Sequence, residues 1–292
     1  TSLGLAMKKM GLDDTIVGVD IDKGRSRKAK KMGALDIVES SLPNAVSGAG
    51  IVFISTPVCA TKEVFNVIGP HLDEGCLITD TGGTKEIVLE WAKERLPKNV
   101  DFVGGHPMAG KESSGPDKAD ADLFENCYYC IVPGDNSSTE AVQTLVNFVN
   151  RINAKPYFID AVEHDGFAAA VSHLPFLIAS TLTKTTSKSP QWADIARMAG
   201  SGFKGATRLA SGDIVMHKDI CVTNRDGIVY WINKFIDELQ AVRNVIETEV
   251  NEDGLLSFFS EASYQRQEWL EGLTDQVIKN EVSDMPSTAE TT

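Results

Sequence analysis

Three stretches decide the fold: Ile51-Val52-Phe53-Ile54-Ser55-Thr56-Pro57, Cys76-Leu77-Ile78-Thr79-Asp80-Thr81-Gly82-Gly83 and Phe102-Val103-Gly104-Gly105-His106-Pro107. Each is a short apolar run that passes directly into Ser, Thr, Gly or Pro. A strand covered on both faces reads this way, whereas a strand with one wet face would alternate polar and apolar residues. Runs of strand character also occur at residues 15–20, 128–132 and 155–159. Between them lie candidate helices. Asp22 can cap a basic helix that stops at Gly33, and residues 59–68 end before Pro70. Residues 84–96 carry Ile87, Val88, Trp91 and Leu96 on one stripe and stop at Pro97. This alternation predicts a doubly wound, Rossmann-type parallel sheet over residues 1–160. Residues 1–10 read as a helix already under way, closed by Gly11, so the first strand of such a sheet is expected to be missing from the chain.

Beyond residue 160 the strand signals cease. Residues 162–186, 227–250 and 255–273 are expected to be helical, the second with Ile228, Ile232, Phe235, Leu239, Val242 and Ile246 at three-to-four-residue spacing. Residues 161–273 therefore form an expected all-helical domain with more apolar stripe than one bundle layer needs, which points to a homodimer formed through these helices. The stretch 274–292 is rich in Ser, Thr, Asp and Glu and is expected to be a disordered tail.

Composition narrows the function classes. A formal net charge of −13 over 292 residues disfavours nucleic acid and anionic membrane surfaces as partners. Any acidic small ligand must then meet a local cluster of basic side chains. No apolar run approaches the roughly 20 residues that span a bilayer, and no signal-peptide pattern opens the chain, so a cytoplasmic location is expected. Five scattered cysteines suit a reducing compartment. Cys127 and Cys130 share a strand-like run, and no second pair completes a zinc site, so no metal is expected.

Chemistry-bearing residues gather at strand ends. Asp20 closes the run Ile16-Val17-Gly18-Val19-Asp20, where a carboxylate can accept from the ribose hydroxyls of a dinucleotide and repel a second phosphate, favouring NAD over NADP. Helix capping by Asp20 and Asp22 is the competing reading. Ser55, Thr56, Pro57, Asp80 and Thr81 follow strands and open helices, the expected border of a cofactor crevice, although ordinary turn chemistry explains each one singly. In Gly104-Gly105-His106-Pro107-Met108-Ala109-Gly110, two glycines are expected to end the strand and admit another molecule, with His106 as a neutral base for a substrate hydroxyl. A turn role for His106 stays open. The long polar connection of residues 111–126 suggests a functional loop. His173 lies in an apolar stretch that suits a core histidine, and Arg208 offers a bidentate fork to a carboxylate, with a structural ion pair as its alternative.

Taken together, His106-Pro107-Met108-Ala109-Gly110, Ala119-Asp120-Ala121-Asp122-Leu123-Phe124, Glu163-His164-Asp165, Ser172-His173-Leu174-Pro175 and Gly202-Phe203-Lys204 with Thr207-Arg208 resemble the prephenate/arogenate dehydrogenase family in order and spacing, over residues 1–273. The resemblance implies NAD-dependent oxidative decarboxylation of prephenate or arogenate. It assigns His106 to the ring hydroxyl and Arg208 to a substrate carboxylate. It also places Glu112 in the loop that gates the pocket, and His173 and Lys204 on the substrate side. Gly83 stands where the family commonly has serine, and Phe176 where many members have histidine. A dehydrogenase of the 3-hydroxyacid type, with its acid/base lysine in the helical domain, and a non-catalytic dinucleotide-binding protein are the alternatives.

Overall fold

The computed structural model describes residues 1–11, 14–111, 115–135, 137–247 and 252–283. Contacts divide the chain into two compact units, Thr1–Trp231 and Ile232–Thr292. In the first, α1 (Ser2–Lys9) is followed by β1 (Val17–Gly18), α2 (Lys23–Lys31), β2 (Ile37–Val38) and α3 (Leu42–Val46). Then come β3 (Ile51–Ile54), α4 (Val58–Ile68), β4 (Leu77–Asp80), α5 (Glu86–Arg95) and β5 (Asp101–Pro107). The sheet closes with β6 (Tyr128–Pro133), α6 (Thr139–Arg151) and β7 (Lys155–Phe158).

Five strands form one sheet in the order β3-β4-β5-β6-β7, and β1 pairs with β2 in a separate parallel pair. The three stretches that define the fold by sequence are β3, β4 and β5, joined in parallel with Phe53 opposite Thr79 and Thr79 opposite Val103. Both faces of these strands are covered. Leu77 and Val103 pack with Leu145, Phe148 and Val149 of α6, while Ile78 packs on the other face with Phe65 and Ile68 of α4 and Val88 and Ala92 of α5. This two-sided burial is the physical cause of the continuous apolar runs.

The expected Rossmann-type parallel sheet is present in β3, β4 and β5, and it is extended by β6, which runs antiparallel to β5, and by β7, parallel to β6. One expectation needs correction: β5 does not end at its glycines, because β6 continues to pair along it as far as Pro107 opposite Tyr129. Gly105 is therefore a mid-strand residue. A Cβ there would lie 2.6 Å from the Asp80 carbonyl oxygen and 2.9 Å from the Tyr129 ring, so the glycine admits neighbouring strands rather than a ligand.

After the sheet, α7 (Ala161–Ala168), a π turn (Ala169–His173) and α8 (Leu174–Ser187) form one helical run. Pro175 explains the π turn: without an N–H it cannot bond the carbonyl four residues back, and the wider turn precedes it. The run of 27 residues is long and apolar enough by length and composition to cross a membrane, contrary to the expectation that no stretch approaches that size. His164, Asp165 and His173 interrupt its apolar composition, and all three side chains are buried among protein groups. Short helices follow, α9 (Trp192–Met198), α10 (Ser201–Ala206) and α11 (Ile214–Thr223), before α12 (Arg225–Glu247).

The second unit holds the rest of α12 and α13 (Glu252–Ser283). The helix reaches ten residues past its expected end at residue 273, so the expected disordered tail is corrected over residues 274–283. That segment contains neither Gly nor Pro. Residues 284–292 lie outside the described residues.

Candidate active site

The site is built where the ends of β4 and β5 meet α7. Asp165, in the second turn of α7, accepts from two main-chain amides at the start of α5: Lys85 N at 2.7 Å to Oδ1 and Glu86 N at 3.1 Å to Oδ2. A carboxylate there satisfies orphan helix N–H groups and meets the positive end of the helix dipole. The same Oδ1 lies 2.8 Å from His164 Nδ1, and His164 Nε2 lies 2.9 Å from His106 Nδ1. Because an ionised carboxylate only accepts, the roles along this chain are fixed. His164 carries its proton on Nδ1 and accepts at Nε2. His106 donates through Nδ1–H, which leaves its Nε2 as a bare lone pair.

Electrostatics keep that lone pair available. Desolvation, followed by the fields of His164, Lys85 and His173, holds His106 well below the ordinary histidine pKa, so the ring is neutral at pH 7. Lys85 itself is fully buried and ion-paired with Asp80, whose carboxylate also accepts from Gly82 N at 2.9 Å and Gly105 N at 3.2 Å. The Asp80 side chain is thus committed inside the protein. There it shapes the loop after β4.

A second histidine belongs to the same network. Asn224, at the junction of α11 and α12, donates through Nδ2 to the Asp165 carbonyl at 2.6 Å and lies 3.2 Å from His173 Nδ1. His173 is fully buried, and its Nε2 has no hydrogen-bond partner. Phe176 packs beside it and stacks face to face on His217 at 4.1 Å between centroids. Asp219 of α11 reaches back to α4 and accepts from Cys59 N at 3.0 Å.

The remaining sequence-derived residues fall in three places. Thr81 Oγ1 donates to Ser55 Oγ at 3.2 Å, joining the loops after β3 and β4, while Thr56 lies beside Thr61 and Pro57 precedes α4. Asp20 is exposed at the end of β1 and accepts from Asp22 N, whereas Asp22 does the capping of α2 through Gly24 N and Arg25 N. Lys204 on α10 and Arg208 in the following 3₁₀ turn are exposed, and that turn packs against α8. Glu112 lies outside the described residues. In the sequence His164 and Asp165 stand out only as part of a motif, and Lys85, Asn224 and Asp219 carry no distinguishing signal.

The nucleotide-binding domain of prephenate dehydrogenase matches residues 3–158, and the dimerization domain of prephenate dehydrogenase matches residues 160–261. The chain is 34% identical to the prephenate dehydrogenase of Bacillus subtilis over 267 residues, covering 91% of this chain and 72% of that protein. It is 32% identical to the prephenate dehydrogenase of Lactococcus lactis over 270 residues, covering 91% and 73%. Among solved structures, the prephenate dehydrogenase of Aquifex aeolicus, in complex with hydroxyphenyl propionate and NAD+, superposes with a TM-score of 0.84 at 26% identity, covering 91% of this chain and 93% of that one.

Proposed function

The chain belongs to the prephenate dehydrogenase family, and from that premise we propose that it oxidatively decarboxylates prephenate with NAD, using His106 as the base at the ring hydroxyl. The observation that carries the reading is the chain of bonds from Asp165 through His164 to His106, which fixes the tautomer a base requires.

The residues present fit the cofactor. Asp20 offers a carboxylate at the end of β1 suited to ribose hydroxyls, and the loops at Ser55, Thr56, Pro57 and Thr81 lie at the carboxyl ends of parallel strands, where an open α/β sheet takes its ligand. Gly83 adds open backbone beside His173. These residues would hold the dinucleotide. When bound, NAD supplies the acceptor for the hydride that leaves the ring carbon. His106 Nε2 takes the hydroxyl proton as that hydride leaves, and His164 and Asp165 keep the ring oriented throughout. Loss of the ring carboxylate as carbon dioxide makes the ring aromatic, and His106 returns its proton to the phenolic oxygen, so no net proton is released. Arg208 and Lys204 are proposed to receive the substrate's carboxylates, and Glu112 to belong to the loop that gates the pocket.

The match of residues 160–261 to a dimerization domain supports a homodimer, as do the large apolar side chains that α12 and α13 present to solvent. The test is NADH formation by the protein with NAD and either prephenate or arogenate. Turnover of prephenate is the expected result. A folded protein that binds NAD and oxidises neither substrate would refute the reading.

A further inference from the structure

His173 carries an unused hydrogen-bond donor whose identity follows from its surroundings. Asn224 Nδ2 donates to the Asp165 carbonyl, which fixes the orientation of the amide, because the flipped form would set two oxygens against each other. The same amide nitrogen faces His173 Nδ1, so Nδ1 is the acceptor and the imidazole proton sits on Nε2. Burial, as the largest cause, pushes the ring down to a pKa of about 4, so it remains neutral. Nε2–H is then a donor inside the protein that reaches only the Gly83 main chain, without the geometry of a formed hydrogen bond, so it is poorly satisfied and open to a better acceptor.

Beside it lies the main chain of Gly83. A Cβ built on Gly83 would lie 3.9 Å from His173 Nε2 and 3.4 Å from Ile220 Cδ1, ordinary contact distances, so space for a methyl-sized group lies next to the donor. His173 contributes to the field at His106, and both rings are tied to Asp165, His106 through His164 and His173 through Asn224. The two imidazoles have opposite polarity: His106 presents a lone pair and His173 an N–H.

We propose that His173 Nε2–H donates to the substrate oxygen whose proton His106 removes, so that the reacting hydroxyl is held by an acceptor on one side and a donor on the other. This rests on the reading of His106 as the base. The hydroxyl donates to His106 Nε2; as its O–H bond breaks, the negative character gathering on oxygen is met by a fixed, neutral donor. A neutral donor can do this without supplying a competing proton.

The test uses three variants assayed with prephenate and NAD. Glutamine at 173 places an amide nitrogen near the ε position, asparagine places an amide oxygen near the δ position that accepts from Asn224, and leucine removes both. His173→Leu and His173→Asn should lower kcat about 10²-fold, the loss typical of one such donor. His173→Gln should recover to within about tenfold of the parent, with affinity for NAD unchanged in all three. A structural role would instead favour asparagine. A leucine variant with parental kcat, or asparagine rescuing better than glutamine, would overturn the proposal. A direct readout needs no variant: with isotopically labelled imidazoles, the His173 Nε2–H resonance should move downfield when 4-hydroxyphenylpyruvate binds, and a resonance that product leaves unmoved would contradict the assignment. His106→Asn is assayed in parallel. Should it keep full turnover, the base reading and this proposal fail together; should it be inactive while His173→Leu is not, this proposal alone fails.

Discussion

Around His106, two further histidines, an aspartate and an asparagine are buried and bonded to one another, whereas along α12 and α13 Leu239, Phe259 and Trp269 stand more than half exposed. Each region reverses the ordinary placement of polar and apolar side chains. Buried polar groups are tolerated near His106 because nearly every donor has an acceptor of defined direction. The exposed apolar rows have no such compensation among the described residues, and such rows suit burial against another surface. The contrast separates a region that must hold proton positions from one that must hold a partner.

The largest effect should come from the region of fixed protons. His106→Asn should lower turnover roughly 10²- to 10⁴-fold with NAD affinity nearly unchanged, measured by NADH formation and cofactor titration. Asp165→Asn should follow, with a loss of about 10²-fold, because an amide no longer dictates which nitrogen of His164 carries the proton. It should also cost ~1 kcal/mol through the amides at the start of α5, read as a lowered midpoint in denaturant. In the other region, Trp269→Glu should weaken self-association about 30-fold, the effect of losing one well-buried interface anchor, with little change in the fold. Sedimentation across a dilution series measures this. Equal damage to assembly from Asp165→Asn and to the pH profile from Trp269→Glu would erase the distinction between the two regions.

The sequence disclosed more of the sheet than of the site. Strands β3, β4 and β5 were legible because two-sided burial writes itself as unbroken apolar runs, while the two-residue strand Ile37–Val38 is too short to show any period. His106 and His173 stood out as lone histidines in unusual strings. Their roles did not, because these depend on partners 58 and 51 residues away, His164 and Asn224, brought near by the packing of α7 and α11. Gly104 and Gly105 show the same limit. A glycine announces that something comes close, but only the register of β6 on β5 says that it is the neighbouring strand. Asp80 reads as a ligand contact at a strand end until the buried Lys85 is seen to occupy it.

The central claim, that His106 is a neutral base held by Asp165 through His164, meets its most direct test in the pH dependence of kcat/KM. Desolvation and neighbouring positive charge lower the folded-state pKa of His106, so the base stays unprotonated as pH falls past the ordinary histidine value near 6.5 and is lost only further down. The account predicts an acid limb below 6.5 that changes in Asp165→Asn. An acid limb at or above 6.5, or one that Asp165→Asn leaves untouched, would contradict it.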